Sequence, residues 1–168
     1  MALYNGGYQA IQLSRPGHGF SISNFGIRFL NPFWIRVEDR FIGERVLIIG
    51  KTAAQAIAVL RTRLAANETV LITVVPLAHK LVQVPFFRAH LTIPTGPIRL
   101  ARAAGAALLP VFATAEDNGA FEVSIEEPLS GQAGDDDIAA AYVKRLEPFV
   151  RSHPDQWRGW MRDPWFTD

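Results

Sequence analysis

The sequence predicts an α/β protein: a single domain over residues 1–168 with a mixed, mostly parallel sheet flanked by helices. Three observations carry this expectation. Short runs of branched and aromatic residues alternate with helix-patterned stretches through the first two-thirds of the chain, which favours parallel pairs joined by crossovers. Ala106 to Ala113 is a nearly uninterrupted apolar run behind a glycine-terminated helix, the pattern of a strand covered on both faces. At 168 residues, with 49% apolar and 20% charged side chains, the chain suffices for one sizeable core.

Taken in order, Asn5-Gly6-Gly7 reads as a turn and Tyr8 to Ser14 as a strand. Arg15-Pro16-Gly17-His18-Gly19 is a loop, because two glycines and a proline do not sit in a regular element. From Ser21 to about Arg40, Ile22, Phe25, Phe29 and Phe33 recur at helical intervals, and Asn31-Pro32 is expected to break the helix in two. Val46 to Ile49 is a short strand ended by Gly50. Thr52 to Ala66 follows as a helix, with Ala53, Ile57, Leu60 and Leu64 on its buried face. Thr69 to Val75 is a strand stopped by Pro76.

The stretch from Phe86 to Phe112 reads as an extended segment, a Thr-Gly turn, a short helix and the apolar strand. The Thr95 hydroxyl is expected to cap the helix, Pro97 to sit in its first turn, and Gly105 to end it in a left-handed conformation. Glu116-Asp117-Asn118-Gly119 predicts a hairpin turn, returning through Phe121 to Ile125. Asp135-Asp136-Asp137 opens the last long helix. Three carboxylates there suit the helix dipole better than a metal. The tail from His153 to Trp160, dense in aromatics, is expected to pack as a lid on the body.

Composition excludes several classes. A net charge of +1 argues against a nucleic-acid binder. With no cysteine there are no disulfides, thiol nucleophiles or cysteine-held metals. No run approaches the roughly 18 charge-free apolar residues of a membrane span, and Met1 to Gln12 shows no apolar core of a signal peptide. Neither a metal nor another cofactor is expected.

Few residues stand out chemically. His18, between two glycines, is exposed enough to act as a base, but no acid lies near it in sequence. His79 and His90 fit loop or edge positions better than metal sites. Arg99 and Arg102 share a helix face and could clamp an anion, with a solvated face as the alternative. Phe33 and Trp34, next to Pro32 and near Arg28 and Arg36, form an amphipathic corner suited to an acyl chain or a bilayer surface.

The order of these features resembles the lipid A biosynthesis lauroyl and myristoyl acyltransferases, of the lysophospholipid-acyltransferase-like superfamily. Arg15-Pro16 at a strand end resembles that family's arginine-proline step. Val84-Pro85-Phe86-Phe87 resembles its Val-x-Phe-Phe segment, with Arg88 where a glycine is expected. Thr95-Gly96, Leu100-Ala101, Gly105-Ala106 and Leu109-Pro110-Val111 resemble its Thr-x-Gly, Leu-Ala, Gly-Ala and Val-Pro series. His153-Pro154-Asp155-Gln156-Trp157, with Trp160 and Arg162, resembles its closing Pro-Glu-Gln-Trp, Trp and Arg signature.

The resemblance implies a glycerolipid-acyltransferase-like fold. It also implies transfer of a fatty acyl chain from acyl carrier protein to a lipid A precursor or related glycolipid hydroxyl. The setting implied is cytoplasmic, peripheral on the inner face of the inner membrane. Arg15, Arg88, Thr95, Gly96 and Arg99 would then be substrate-binding residues, Arg15 facing the phosphopantetheine arm of the carrier. Such enzymes use a His-x4-Asp/Glu dyad, in which the imidazole takes the hydroxyl proton and the carboxylate orients it. Five positions after His18, His79, His90 and His153 stand Ser23, Val84, Thr95 and Arg158, none of them acidic. In the family the dyad precedes the segment matching Tyr8 to Ser14. On this resemblance the chain corresponds to about the C-terminal two-thirds of the family and is expected to be truncated and inactive on its own. The alternative is a non-catalytic module of the same core that binds a lipid or a partner protein.

Overall fold

The computed structural model describes residues 2–14, 23–48, 53–75, 80–157, 159 and 166–167. It is α/β, as expected, and its chain gathers into two compact units, Met1–Thr73 and Val74–Asp168.

In the first unit a short helix, α1 (Ala2–Asn5), leads into β1 (Ala10–Ser14). The strand begins later than Tyr8, whose ring is exposed. A helical arm follows: a π-helical turn over Gly26–Leu30 runs directly into α2 (Asn31–Glu38). Asn31 and Leu30 both hold right-handed helical dihedrals, so Asn31-Pro32 does not break the helix as expected. The Asn31 amide reaches back to the Gly26 carbonyl. This wider turn accommodates a residue that lacks its own N–H without ending the element. Next come β2 (Glu44–Leu47), α3 (Ala53–Ala65) and β3 (Thr69–Leu71).

These three strands form a parallel sheet in the order β2-β1-β3, with Ile11 opposite Glu44 and Val70. Parallel neighbours need a crossover, and the arm and α3 supply the two. Leu60 is completely buried on α3 and Ala56 nearly so, whereas Ile57, expected inside, is 46% exposed. The buried stripe is therefore centred one position away from that predicted.

The second unit is antiparallel. β4 (Leu81–Phe86) and β5 (Ala89–Pro94) form a hairpin extended by β8 (Phe166–Thr167), in the order β4-β5-β8. Pro85 is tolerated because β4 is an edge strand. After α4 (Gly96–Ala104), β6 (Val111–Ala115) pairs with β7 (Phe121–Ile125) through the predicted Asn-Gly turn, Gly119 adopting φ 81°. Gly105 ends α4 in the left-handed region at φ 63°, also as predicted.

The run from Ala106 to Ala113 is not a central strand buried on both faces. Leu108 makes a single bridge to Leu129, Leu109 is exposed, and β6 starts only after Pro110. Along β6, Phe112 and Thr114 are buried while Ala113 is exposed. Alanine reads as apolar without demanding burial, and one hairpin partner covers one edge only. The core of this unit lies between the β4-β5 hairpin, β6 and α5 (Asp135–Ser152), with Phe86, Leu91 and Val143 almost fully buried. Phe112 packs on Phe149 with ring centroids 4.5 Å apart.

Candidate functional site

His18, Arg15 and His79 lie outside the described residues. The remaining candidates fall in three places, and the first is the corner between β5 and α4.

Thr95 is only 2% exposed. Its amide and hydroxyl both point to the Lys80 carbonyl, at 3.1 and 3.4 Å, so the hydroxyl does not cap α4. The hairpin's open end is thereby closed on itself, and Thr95 presents no free group to a ligand. Gly96, beside it, is exposed with open space around its Cα.

Arg99 and Arg102 do make an anion clamp, but the anion is the chain's own. Arg99 Nε donates to Asp135 Oδ2 at 2.7 Å and Arg102 Nη1 to Asp135 Oδ1 at 2.8 Å. Arg102 Nη2 also donates to the Ala133 carbonyl at 2.7 Å. Hydrogen bonds from Arg99, then from Arg102, hold the Asp135 carboxyl below its ordinary value. The acidic start of α5 is thus used to fasten that helix end to α4. Among the described residues, no cluster of three or more His, Asp or Glu side chains could hold a metal ion.

The second place is the β4-β5 turn, Phe87-Arg88. Arg88 is exposed there, and Phe87 adopts φ 54°, which is uncommon for a bulky side chain. Its ring meets the edge of Phe86, 4.5 Å between centroids, and the Arg151 guanidinium lies over it at 5.0 Å. Arg88 lies at the turn before β5, and Arg99 lies in α4, which follows the other end of that strand.

The third place is the C-terminal signature, whose detail the sequence did not reveal. Gln156 lies in a single 3₁₀ turn (Pro154–Gln156). Its Oε1 accepts from the Ala115 amide at 2.7 Å and its Nε2 donates to the Ala115 carbonyl at 2.9 Å. A side-chain amide thus completes the end of β6 as a neighbouring strand would. Trp157 stacks toward Phe86 with centroids 5.2 Å apart. A Cβ on Gly159 would fall inside the Trp157 ring, so only glycine fits there.

These are the residues of the closing signature. A model of the bacterial lipid A biosynthesis acyltransferases matches residues 7–167, nearly the whole chain. The chain belongs to the bacterial lipid A biosynthesis acyltransferase family. No curated protein matches it. Within this family member, Phe86, Thr95 and the Gln156-Trp157 pair hold the second unit together rather than facing outward for chemistry.

Among the described residues, no carboxylate pairs with His90 or His153. His90 is exposed on β5, and His153 Nδ1 lies 3.0 Å from Ser152 Oγ. The Ser152 hydroxyl also lies 3.0 and 3.2 Å from the Pro148 and Phe149 carbonyls, where its single proton is used. That is a helix end, not a nucleophile and its base. Tyr142 is no base either, since burial pushes its hydroxyl up to about 12.

In the first unit, an open pocket of about 460 Å³ includes Gln9, Glu44, Arg63 and Glu68 in its lining. Arg63 pairs with Glu44 at 2.7 Å and Glu68 at 3.5 Å, so the cation in the lining is already engaged by two carboxylates. It touches none of the candidates. Phe33 and Trp34 are exposed on the arm, 58% and 44%, with their rings edge to face at 5.9 Å.

Proposed function

We propose that this chain is a fatty-acyl transfer core. Its donor is an acyl carrier protein thioester, its acceptor is the hydroxyl of a lipid A precursor or related glycolipid, and it works peripherally at the cytoplasmic face of the inner membrane. The observation that carries this reading is the family match over residues 7–167. In such a transfer, a base takes the acceptor proton, the oxygen attacks the thioester carbonyl and the carrier thiol leaves. None of the four histidines begins a His-x4-Asp/Glu dyad. We therefore assign the 168-residue chain a role in holding donor and acceptor, without turnover at a family-like rate by itself.

Arg15 is assigned to the phosphate of the carrier's phosphopantetheine arm and Arg88 to a separate peripheral contact. Thr95 and Gly96 act by shaping the β5-α4 corner, and Arg99 by holding Asp135. The second reading, a non-catalytic lipid-binding module, is favoured by the exposed aromatic arm.

Titration with a non-hydrolysable acylated carrier protein tests the assignment. Saturable binding, tighter than that of the bare carrier and weakened about tenfold by Arg15→Ala through loss of a charge-assisted hydrogen bond, is expected. Equal, non-saturable signals from both carriers would remove the donor assignment.

A further inference from the structure

The helical arm of the first unit leaves an unusual set of side chains in solvent. Phe25, Phe29 and Phe33 are 65%, 57% and 58% exposed, and Ile27, Leu30 and Trp34 lie between 44% and 50%. Isolated exposed apolar residues are ordinary, but six large ones within ten consecutive positions form a patch that calls for an occupant.

The charges beside them decide its chemistry. The arm carries Arg28 and Arg36, with Arg40 just beyond its end, all exposed. Among the described residues no carboxylate pairs with any of the three. The neighbouring acids, Glu38 and Asp39, are occupied from the sheet side. Arg45 on β2, with only 12% of its side chain exposed, donates from Nη2 to Glu38 at 3.0 Å and from Nε to Asp39 at 2.8 Å. Its Nη1 donates to Ser14 Oγ at 3.2 Å. Arg45 thus engages the arm's two carboxylates from the β2 side, while Arg28, Arg36 and Arg40 stay exposed on the same segment as the aromatic rings.

We infer that the arm, Phe25 to Arg40, is a docking surface for an anionic lipid bilayer. Its rings enter the headgroup boundary and its arginines lie at phosphate level. The match is one of charge as well as apolarity. Arginine lays its aliphatic stem on apolar surface while its head stays wet, and aromatic rings favour the interfacial zone. Phe25, Phe29 and Phe33 follow one stripe, and Ile27, Leu30 and Trp34 widen it beyond the single narrow stripe that seats a helix in a protein groove. The inference rests on the reading of this chain as acting at a membrane, and specifies which surface does so and which lipids it selects.

Flotation of the full chain with vesicles tests it. The lipids are phosphatidylcholine alone, or phosphatidylcholine with about a third phosphatidylglycerol, at low and high salt. The wild type should float with the anionic vesicles, far less with the zwitterionic ones, and should be released by salt. Arg28→Gln/Arg36→Gln/Arg40→Gln should weaken binding by about fivefold per arginine, on the order of a hundredfold together. Phe33→Ser/Trp34→Ser should weaken binding at both salt concentrations. Phe121→Ser, at the 68% exposed ring of β7, should change nothing. These positions are exposed, and unchanged far-ultraviolet dichroism and melting would verify folding.

Equal partitioning of wild type and both arm variants overturns the inference, as does equal binding to both lipid mixtures. Arm-dependent dimers in light scattering without vesicle binding would assign the surface to a second copy instead. Saturable binding of the acylated carrier without vesicle binding would defeat this inference alone. Vesicle binding without carrier binding leaves it standing while the donor assignment fails.

Discussion

At the scale of single residues, Arg99 and Arg102, which looked able to clamp a substrate anion, are already engaged. The pattern Arg99-x-x-Arg102 left an anion clamp and a solvated helix face as alternatives; the clamp forms, and its ligand is a carboxylate 33 residues beyond Arg102, at the start of α5. Sequence spacing reports which side chains share a helix face. It does not report which distant group meets that face. Thr95 is a similar case: its place before a helix suggested a cap, while burial sent the hydroxyl to Lys80. The Asp135 clamp has a pH signature. Its carboxyl titrates below the ordinary value of 3.8 because of Arg99 and Arg102, so the charged form is the one that stabilises the fold. That contribution is complete above pH 3.8 and is lost as pH falls through the lowered folded value. Asp135→Asn should therefore unfold at lower urea than wild type at pH 7, with the gap closing below pH 3.8. A gap of constant size down to pH 2 would mean that the charge does not matter.

At the scale of elements, the sequence was legible where local chemistry decides and opaque where partners do. Gly105 and Asn118-Gly119 were placed correctly because left-handed positions and hairpin turns are local demands. The break at Pro32 was not, because a π turn absorbed it. The apolar run at Ala106–Ala113 misled because three of its eight residues are alanine. The closing signature was read as a packed tail, and what packs it is the pair of hydrogen bonds between Gln156 and Ala115 and the Trp157–Phe86 contact. Gln156→Ala leaves the amide and carbonyl of Ala115 without these partners. We expect a loss of about 1–3 kcal/mol by chemical denaturation, with faster amide exchange along β6. Gln156→Glu can restore only the acceptor half and should recover part of the loss. An unchanged midpoint in the alanine variant would refute the clasp.

At the scale of the whole molecule, the α/β class and the family followed from motif order, which survives even where individual pairings do not. Parallel pairing is confined to the first unit and the second is antiparallel. No helix among the described residues is long and apolar enough to cross a membrane. The central proposal is that this chain, in which none of the four histidines begins a His-x4-Asp/Glu dyad, does not turn over at a family-like rate by itself. Loss of a general base costs on the order of 10²–10⁴-fold in rate. The most direct measurement is turnover of the 168-residue chain with a radiolabelled acyl carrier protein donor and a lipid A precursor acceptor, for wild type and His18→Ala. The account predicts transfer at least about 10²-fold below a family-like rate in both proteins. Robust transfer by wild type, abolished by His18→Ala, would contradict it and make His18 the base.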